Sequence, residues 1–224
     1  MIDQKAAKIP FERIVAEYRP VEPARFVIDT PDKENAMLFA RVDLPANLSD
    51  ADMPALITAD WIIGGSDGLS NRIVNRLRQK EGLSYGSGSN ITLPSIGNRA
   101  KWSVGAIVAP QNLAQAEKSL KDELARAYRD GITEAELAEA KRGSIGSRAV
   151  NRAQDGMVAS NWVNNLETGR TWQFSKETEA AIEALTVEDV NKALRRFCDV
   201  SKLTFALAGD LAKAKAAGKD FTQP

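Results

Sequence analysis

The chain has 224 residues, enough for one large domain or two small ones, and 43% of them are hydrophobic, so a sizeable core can form. Lysine plus arginine equals aspartate plus glutamate at 30 each, which argues against a nucleic-acid binder, and no apolar run approaches the ~20 residues of a membrane-spanning helix. The absence of histidine and the single cysteine, Cys198, exclude imidazole general bases, Ser-His and Cys-His nucleophiles, histidine-ligated zinc and an intrachain disulfide.

Residues 1–22 read as a leader or linker without the apolar stretch of a signal peptide. Pro10 and Pro20 interrupt it, and 11–18 has the pattern of a short helix. Strands are predicted at 24–29 and 35–44 across a polar turn. In the second, Met37 and Phe39 alternate with Leu38 and Val42 on the opposite face. Ser49, with Asp52 three residues on, is the predicted start of a helix carrying Met53, Leu56, Ile57 and Trp61, and Gly64-Gly65 ends it. The glycine loop 64–68 matches neither phosphate-binding pattern and reads as a helix–helix turn. A helix capped by Ser70 follows, with Leu69, Ile73, Val74 and Leu77 on its apolar stripe and Gly82 in the left-handed position past its end.

Two strands, 85–93 and 99–109, form a hairpin around 94–98. In the second, Trp102, Val104, Ala106 and Val108 make an apolar face. A long helix then carries Leu113, Ala116, Leu120, Leu124 and Ala127, with Lys118, Lys121, Asp122, Glu123 and Arg126 assigned to its solvated side. Gly131 stops it, and Thr133 with Glu136 forms a capping box for the next helix, which Gly143 and Gly146 weaken at its far end. Further helices are predicted at 148–167, with Met157, Val158, Trp162 and Leu166 as the apolar side, at 176–184, and at 187–197 behind Thr186. Cys198 reads as a small buried hydrophobe, and Trp61, Trp102, Trp162 and Trp172 as core. A last strand at 203–208 precedes a tail, 211–224, expected to fray. Strand pairs and blocks of helices define an α+β class: a single, largely antiparallel sheet with helices on one face, spanning 23–210.

The most informative stretch is Arg78-Gln79-Lys80-Glu81-Gly82-Leu83-Ser84-Tyr85. Arg78 falls in the last turn of a helix and Tyr85 just past the reversal, so a helix–turn–strand corner can bring them together. This octapeptide, with Gly64-Gly65 before it and Ser70 and Arg72 between, resembles the non-zinc half of the pitrilysin/insulysin zinc metallopeptidases, the inverzincins, and the likeness extends loosely over 32–210. In that family one half carries an inverted zinc motif, His-x-x-Glu-His, and the other an arginine and a tyrosine seven positions apart. The resemblance implies a sheet whose open face looks into a chamber. It implies that Arg78 and Tyr85 bind a peptide substrate and stabilise its oxyanion, that this chain holds no metal, and that zinc lies on a homologous partner half. The alternatives are a scaffold subunit of the same fold, or a peptide-binding domain using an exposed strand edge.

Overall fold

Strand pairs and blocks of helices sort into two layers. The computed structural model describes residues 12–65 and 70–218. Strands β1 (Arg25–Asp29), β2 (Ala36–Pro45), β3 (Ser84–Thr92), β4 (Arg99–Val108) and β5 (Thr204–Gly209) form one sheet in the order β1-β5-β2-β4-β3. β1 and β5 are parallel; the other three pairings are antiparallel, as expected of this α+β class. The longest pairing runs from Ala36↔Val108 to Pro45↔Arg99 and sets which side of each strand is covered. Leu38, Ala40, Trp102, Val104 and Leu207 are buried under the helices, whereas Met37, Phe39 and Ile107, at the alternate positions, stay 50%, 40% and 45% exposed.

The helices are α1 (Met53–Ile63), α2 (Arg72–Val74, continuing as a π-helix over Asn75–Lys80), α3 (Leu113–Asp130), α4 (Glu134–Arg152), α5 (Asp155–Thr168), α6 (Trp172–Ala184), α7 (Val187–Phe197) and α8 (Leu211–Ala216). The capping box read at Thr133–Glu136 is formed, and Thr186, read as the cap of α7, forms a second one with Asp189. α1 lies at the centre of the layer, against α7, α4, α6 and β3.

Several elements depart from the sequence reading, each for a local reason. α1 starts at Met53 rather than Ser49, because the Asp50 carboxylate accepts from the Asn47 amide and the Asn47 side chain accepts from the Ser49 amide, which closes a turn there. Residues 12–18 are not helical; the Tyr18 amide donates to Asn98 Oδ1 at 2.8 Å, tying the segment to the β3–β4 connection. α4 runs through Gly143 and Gly146 to Arg152, and Gly143 lets the Trp61 ring approach to where a Cβ would lie 3.1 Å from it. α6 begins at Trp172, since Thr171 accepts from the Gln173 amide. Leu211–Ala216 is helical, with Asp210 accepting from the Lys213 amide. Phe11, the loop 66–69 with Leu69, and the tail 219–224 lie outside the described residues.

Two assignments to core or surface are also overturned. Glu123 is not solvated: its side chain is 2% exposed, and Arg126 donates to both of its oxygens. Trp162 is not core. α5 buries none of its residues, and Trp162, 53% exposed, meets Trp172 with ring centroids 6.3 Å apart. Periodicity identifies an apolar side but not what covers it.

The layers are joined by a buried carboxylate. Asp60, in the last turn of α1, accepts from Ser89 Oγ on β3 at 2.6 Å and Trp102 Nε1 on β4 at 2.9 Å. The Ser89 amide donates to the Gly64 carbonyl at 2.7 Å, and a Cβ on Gly64 would lie 2.5 Å from the Ser89 nitrogen. A helix end and a strand therefore touch backbone to backbone, which only glycine permits here. Burial raises the Asp60 pKa, with the bonds from Ser89, Trp102 and the Ile91 amide opposing it. Cys198 lies in the same core, and burial first, then the Asp60 charge, push its thiol far above the ordinary range.

Asp60→Ala should cost about 2–4 kcal/mol in urea melts, because Ser89 and Trp102 lose a buried acceptor. Asp60→Asn should cost less. A raised folded-state pKa means that the parent loses stability as pH rises from about 3.9 toward that folded value, a loss that the Asn variant lacks. The stability difference should therefore move in favour of Asn over that window; a constant difference would show that Asp60 titrates alike in both states.

Candidate active site

The element carrying Arg78 is anchored at both ends before it reaches the site. At its start the cap is Asn71, not Ser70. Asn71 Oδ1 accepts from the Val74 amide at 2.9 Å, and Nδ2 reaches back to the Gly65 carbonyl. The Ser70 hydroxyl instead donates to Glu139 on α4 at 2.6 Å. Asn offers both an acceptor and a donor in one planar group, so it can cap the helix and hold the preceding chain at once. Arg72 forms a two-pronged pair with Glu136 at 2.6 and 2.7 Å and also donates to the Gly131 carbonyl at 2.8 Å. At the far end Arg76 pairs with Glu81, whose carboxylate also accepts from Ser119 on α3 at 2.6 Å.

The helix then stops in the manner that the sequence predicts. Gly82 has φ +62°, and the Leu83 amide bonds back to the Leu77 carbonyl at 2.7 Å. The chain enters β3 at Ser84, whose hydroxyl caps the Ile107 and Gly86 carbonyls at 2.8 and 2.9 Å. Register jumps here: Ser84 pairs with Val108 and Gly86 with Ile107, so Tyr85 is the extra residue of a β-bulge. A bulge locally re-aims a side chain, and the Tyr85 side chain is 87% exposed.

The structure brings the two singled-out residues together. The Arg78 guanidinium carbon stands 4.8 Å from the centre of the Tyr85 ring, a cation–π contact. Both residues are exposed, and neither side chain has a hydrogen-bond or ion-pair partner among the described residues. The phenol hydroxyl and the guanidinium N–H groups are therefore free donors at one spot. Beside them spreads the uncovered face of the sheet. Two rows cross all five strands in register: Phe26, Ala206, Phe39, Gly105 and Gly88; and Ile28, Ala208, Met37, Ile107 and Gly86. Glycine and alanine keep the part between the larger side chains shallow, with a depression of about 350 Å³ over Gly86, Gly88 and Gly105.

Among the described residues no group of three or more His, Cys, Asp or Glu is arranged to hold a metal ion, and the Glu136 and Glu81 carboxylates along this element are committed to salt bridges. The donor set here does not fit zinc. No helix is long and apolar enough to cross a membrane, again among the described residues. Sequence reasoning missed the supports: Asp60 and the Asn71 cap. Asp60 had a legible signal, being the sole charge in the α1 sequence MPALITADWII.

The class that the fold defines is a two-layer α+β domain with one uncovered sheet face. The chain belongs to the peptidase M16 inactive-domain family, whose profile matches residues 2–144. A comparison with curated protein sequences finds no match. Among solved structures, the peptidase M16 inactive domain from Pseudomonas fluorescens superposes with a TM-score of 0.80 at 23% identity, over 90% of this chain and 47% of that one. A Bordetella parapertussis structure, described as the inactive peptidase domain of a protein assigned as a zinc protease, gives 0.64 at 19% identity over 77% of this chain and 91% of that one. A chain of complex III2 from Candida albicans gives 0.68 at 17% identity, over 87% of this chain and 48% of that one. At these identities the likeness is one of fold. This chain spans about half the length of the Pseudomonas chain.

The anchor of α2 gives a pH-dependent test. Burial opposes ionisation of Glu136, but the bonds from Arg72 and Thr133 outweigh it and hold its pKa below the ordinary glutamate value. Arg72→Leu should cost about 1.5–3 kcal/mol at neutral pH, the range for hydrogen bonds to charged groups. A lowered folded-state pKa makes this contribution complete above about pH 4.3 and lost as pH falls through the lowered value. Urea melts between pH 7 and pH 3 should show the gap between parent and variant closing toward the acid end.

Proposed function

We propose that this chain is the zinc-free half of a peptide-hydrolysing zinc metallopeptidase, completed by a homologous half that carries the metal. The observation supporting this reading is the Arg78–Tyr85 pair, 4.8 Å apart and exposed, with no side-chain donor occupied among the described residues. Peptide hydrolysis builds negative charge on the scissile carbonyl oxygen, and preorganised donors aimed at that oxygen lower the barrier. The zinc on the partner half would supply the activated water. Within this chain, Tyr85 donates its hydroxyl to the developing oxyanion and Arg78 uses its planar N–H edge to hold a neighbouring peptide carbonyl. Stacking of the guanidinium on the ring orients each group by the other, and the bulge at Tyr85 keeps the ring off the sheet surface. The apolar open face is the surface against which an extended peptide or the partner half would lie. Dividing the donors and the metal between two halves makes closure a requirement for turnover.

A scaffold role is the second reading, supported by the similarity of fold to a chain of complex III2 from Candida albicans. Free donors on both Arg78 and Tyr85 favour the catalytic reading, because a purely structural pair needs no unoccupied N–H and O–H groups.

Tyr85→Phe separates the two. The variant removes one hydroxyl from an exposed ring and should leave the melting temperature unchanged. Paired with the zinc-bearing half, it should lose about 100- to 1000-fold in kcat, ~2.7–4 kcal/mol, with a smaller change in KM. Arg78→Lys should raise KM more than Tyr85→Phe does, since a point charge does not reproduce the guanidinium fork. An unchanged kcat/KM for Tyr85→Phe would transfer the chain to the scaffold reading.

A further inference from the structure

On the helical side of the molecule, between α1, α4, α5 and α6, lies a cleft of about 610 Å³, within the usual size of small-ligand sites. Its polar lining is unusual in sign. Arg148, Arg152 and Arg170 line it, and no aspartate or glutamate does. Two of these arginines are engaged. Arg152 pairs with Glu179, and Arg170 donates to Ser49 Oγ at 2.7 Å while stacking on the Phe174 ring at 4.4 Å. Arg148 is half-buried and has no hydrogen-bond or ion-pair partner among the described residues. Burial, with Arg152 adding and Glu179 opposing, pushes its pKa below the ordinary arginine value, the mark of a cation whose water has been taken away without full replacement.

The second feature is amide-rich. Asn151 at the end of α4 and Asn161, Asn164 and Asn165 on α5 line the same cleft, and none of their side-chain amides is hydrogen-bonded among the described residues. Each such amide offers two donors and an acceptor, the pattern that pairs with a peptide group. Across from them Met53, Ile57 and Trp61 of α1, with Phe174, form an apolar wall. An unpaired guanidinium, unpaired amides and an apolar wall converge on one volume.

We propose that this cleft binds the free C-terminal end of a peptide whose last residue is apolar. Arg148 takes the terminal carboxylate in its two-pronged geometry, the asparagine amides pair with the last peptide groups, and the final side chain rests on the α1 wall. The site lies on the covered side of the sheet, away from Arg78 and Tyr85, and needs no residue from a partner half, so it stands or falls separately from the catalytic reading.

The test is isothermal titration of the 224-residue chain with N-acetyl-alanyl-leucine, with the same dipeptide as its C-terminal amide, and with inorganic phosphate. The acid should bind saturably, and the amide at least about tenfold more weakly, because it cannot accept the charged pair of bonds. Arg148→Gln should weaken the acid by a similar factor and leave the amide unchanged. Should Arg148→Gln fail to fold by its thermal melt, Asn161→Asp, at an exposed helical position, places a like charge beside the carboxylate and should weaken the acid selectively. No saturable binding of the acid, equal binding of acid and amide, phosphate binding as tight as the acid, or a folded variant with parental affinity would each overturn the proposal.

Discussion

A buried carboxylate fixes where the edge of the sheet sits. Among the described strands β3 lies at the edge of the sheet, paired with β4 alone, and left to that ladder it would be free to twist or fray. Asp60 removes that freedom by accepting from Ser89 on β3 and Trp102 on β4 at once, while the Gly64 carbonyl takes the Ser89 amide. The cost is a charge in a dry core, visible as the raised pKa of Asp60. The gain is positional: Ser89 is four residues from Tyr85, and Gly64 leads into the loop before α2. One cluster thus sets both the strand that bears Tyr85 and the approach to the helix that bears Arg78.

The rest of the corner is built from side chains whose only visible task is to place others. Asn71 spans from the Val74 amide to the Gly65 carbonyl, Arg72 binds α2 to the first turn of α4, and Glu81 ties the end of the π-helix to α3. Arg78 itself is held by none of these and stacks on the Tyr85 ring. Rigid supports around two unoccupied donors are the arrangement that electrostatic preorganisation asks for. The π-helical segment fits the same picture, since such segments recur where helix geometry has been bent to a functional end.

The two faces of the molecule have different economies. The covered face of the sheet is dry and closely packed, from Trp102 at 1% exposure to Leu38 and Leu207 at 0%. The open face leaves Phe26, Ile28, Met37, Phe39 and Ile107 at 40–55% exposure in contiguous rows. The outer helix α5 is the third zone. It buries no residue and turns its asparagines toward the Arg148 cleft.

The sequence by itself determined the elements whose signals are local. Period-two alternation placed β2 and β4 to within about two residues, the Thr133 capping box and the Thr186 cap named two helix starts, Gly82 marked the left-handed reversal, and the family resemblance of the octapeptide named the Arg78–Tyr85 pair. It erred where a second segment decides the outcome. Ser49 and Ser70 looked like caps, but Asn47 with Asp50 closed a turn at one and Asn71 took over the other. Trp162 and Glu123 looked like core and surface and exchanged roles, because a helical stripe does not say which neighbour covers it. Tertiary structure alone decided the placement of β5 between β1 and β2, the bulge that turns Tyr85 outward, and the meeting of Asp60 with Ser89 and Trp102, 29 and 42 residues away. These depend on which donor finds which acceptor once water is excluded, and that choice is made by packing across the whole chain rather than by any stretch of it.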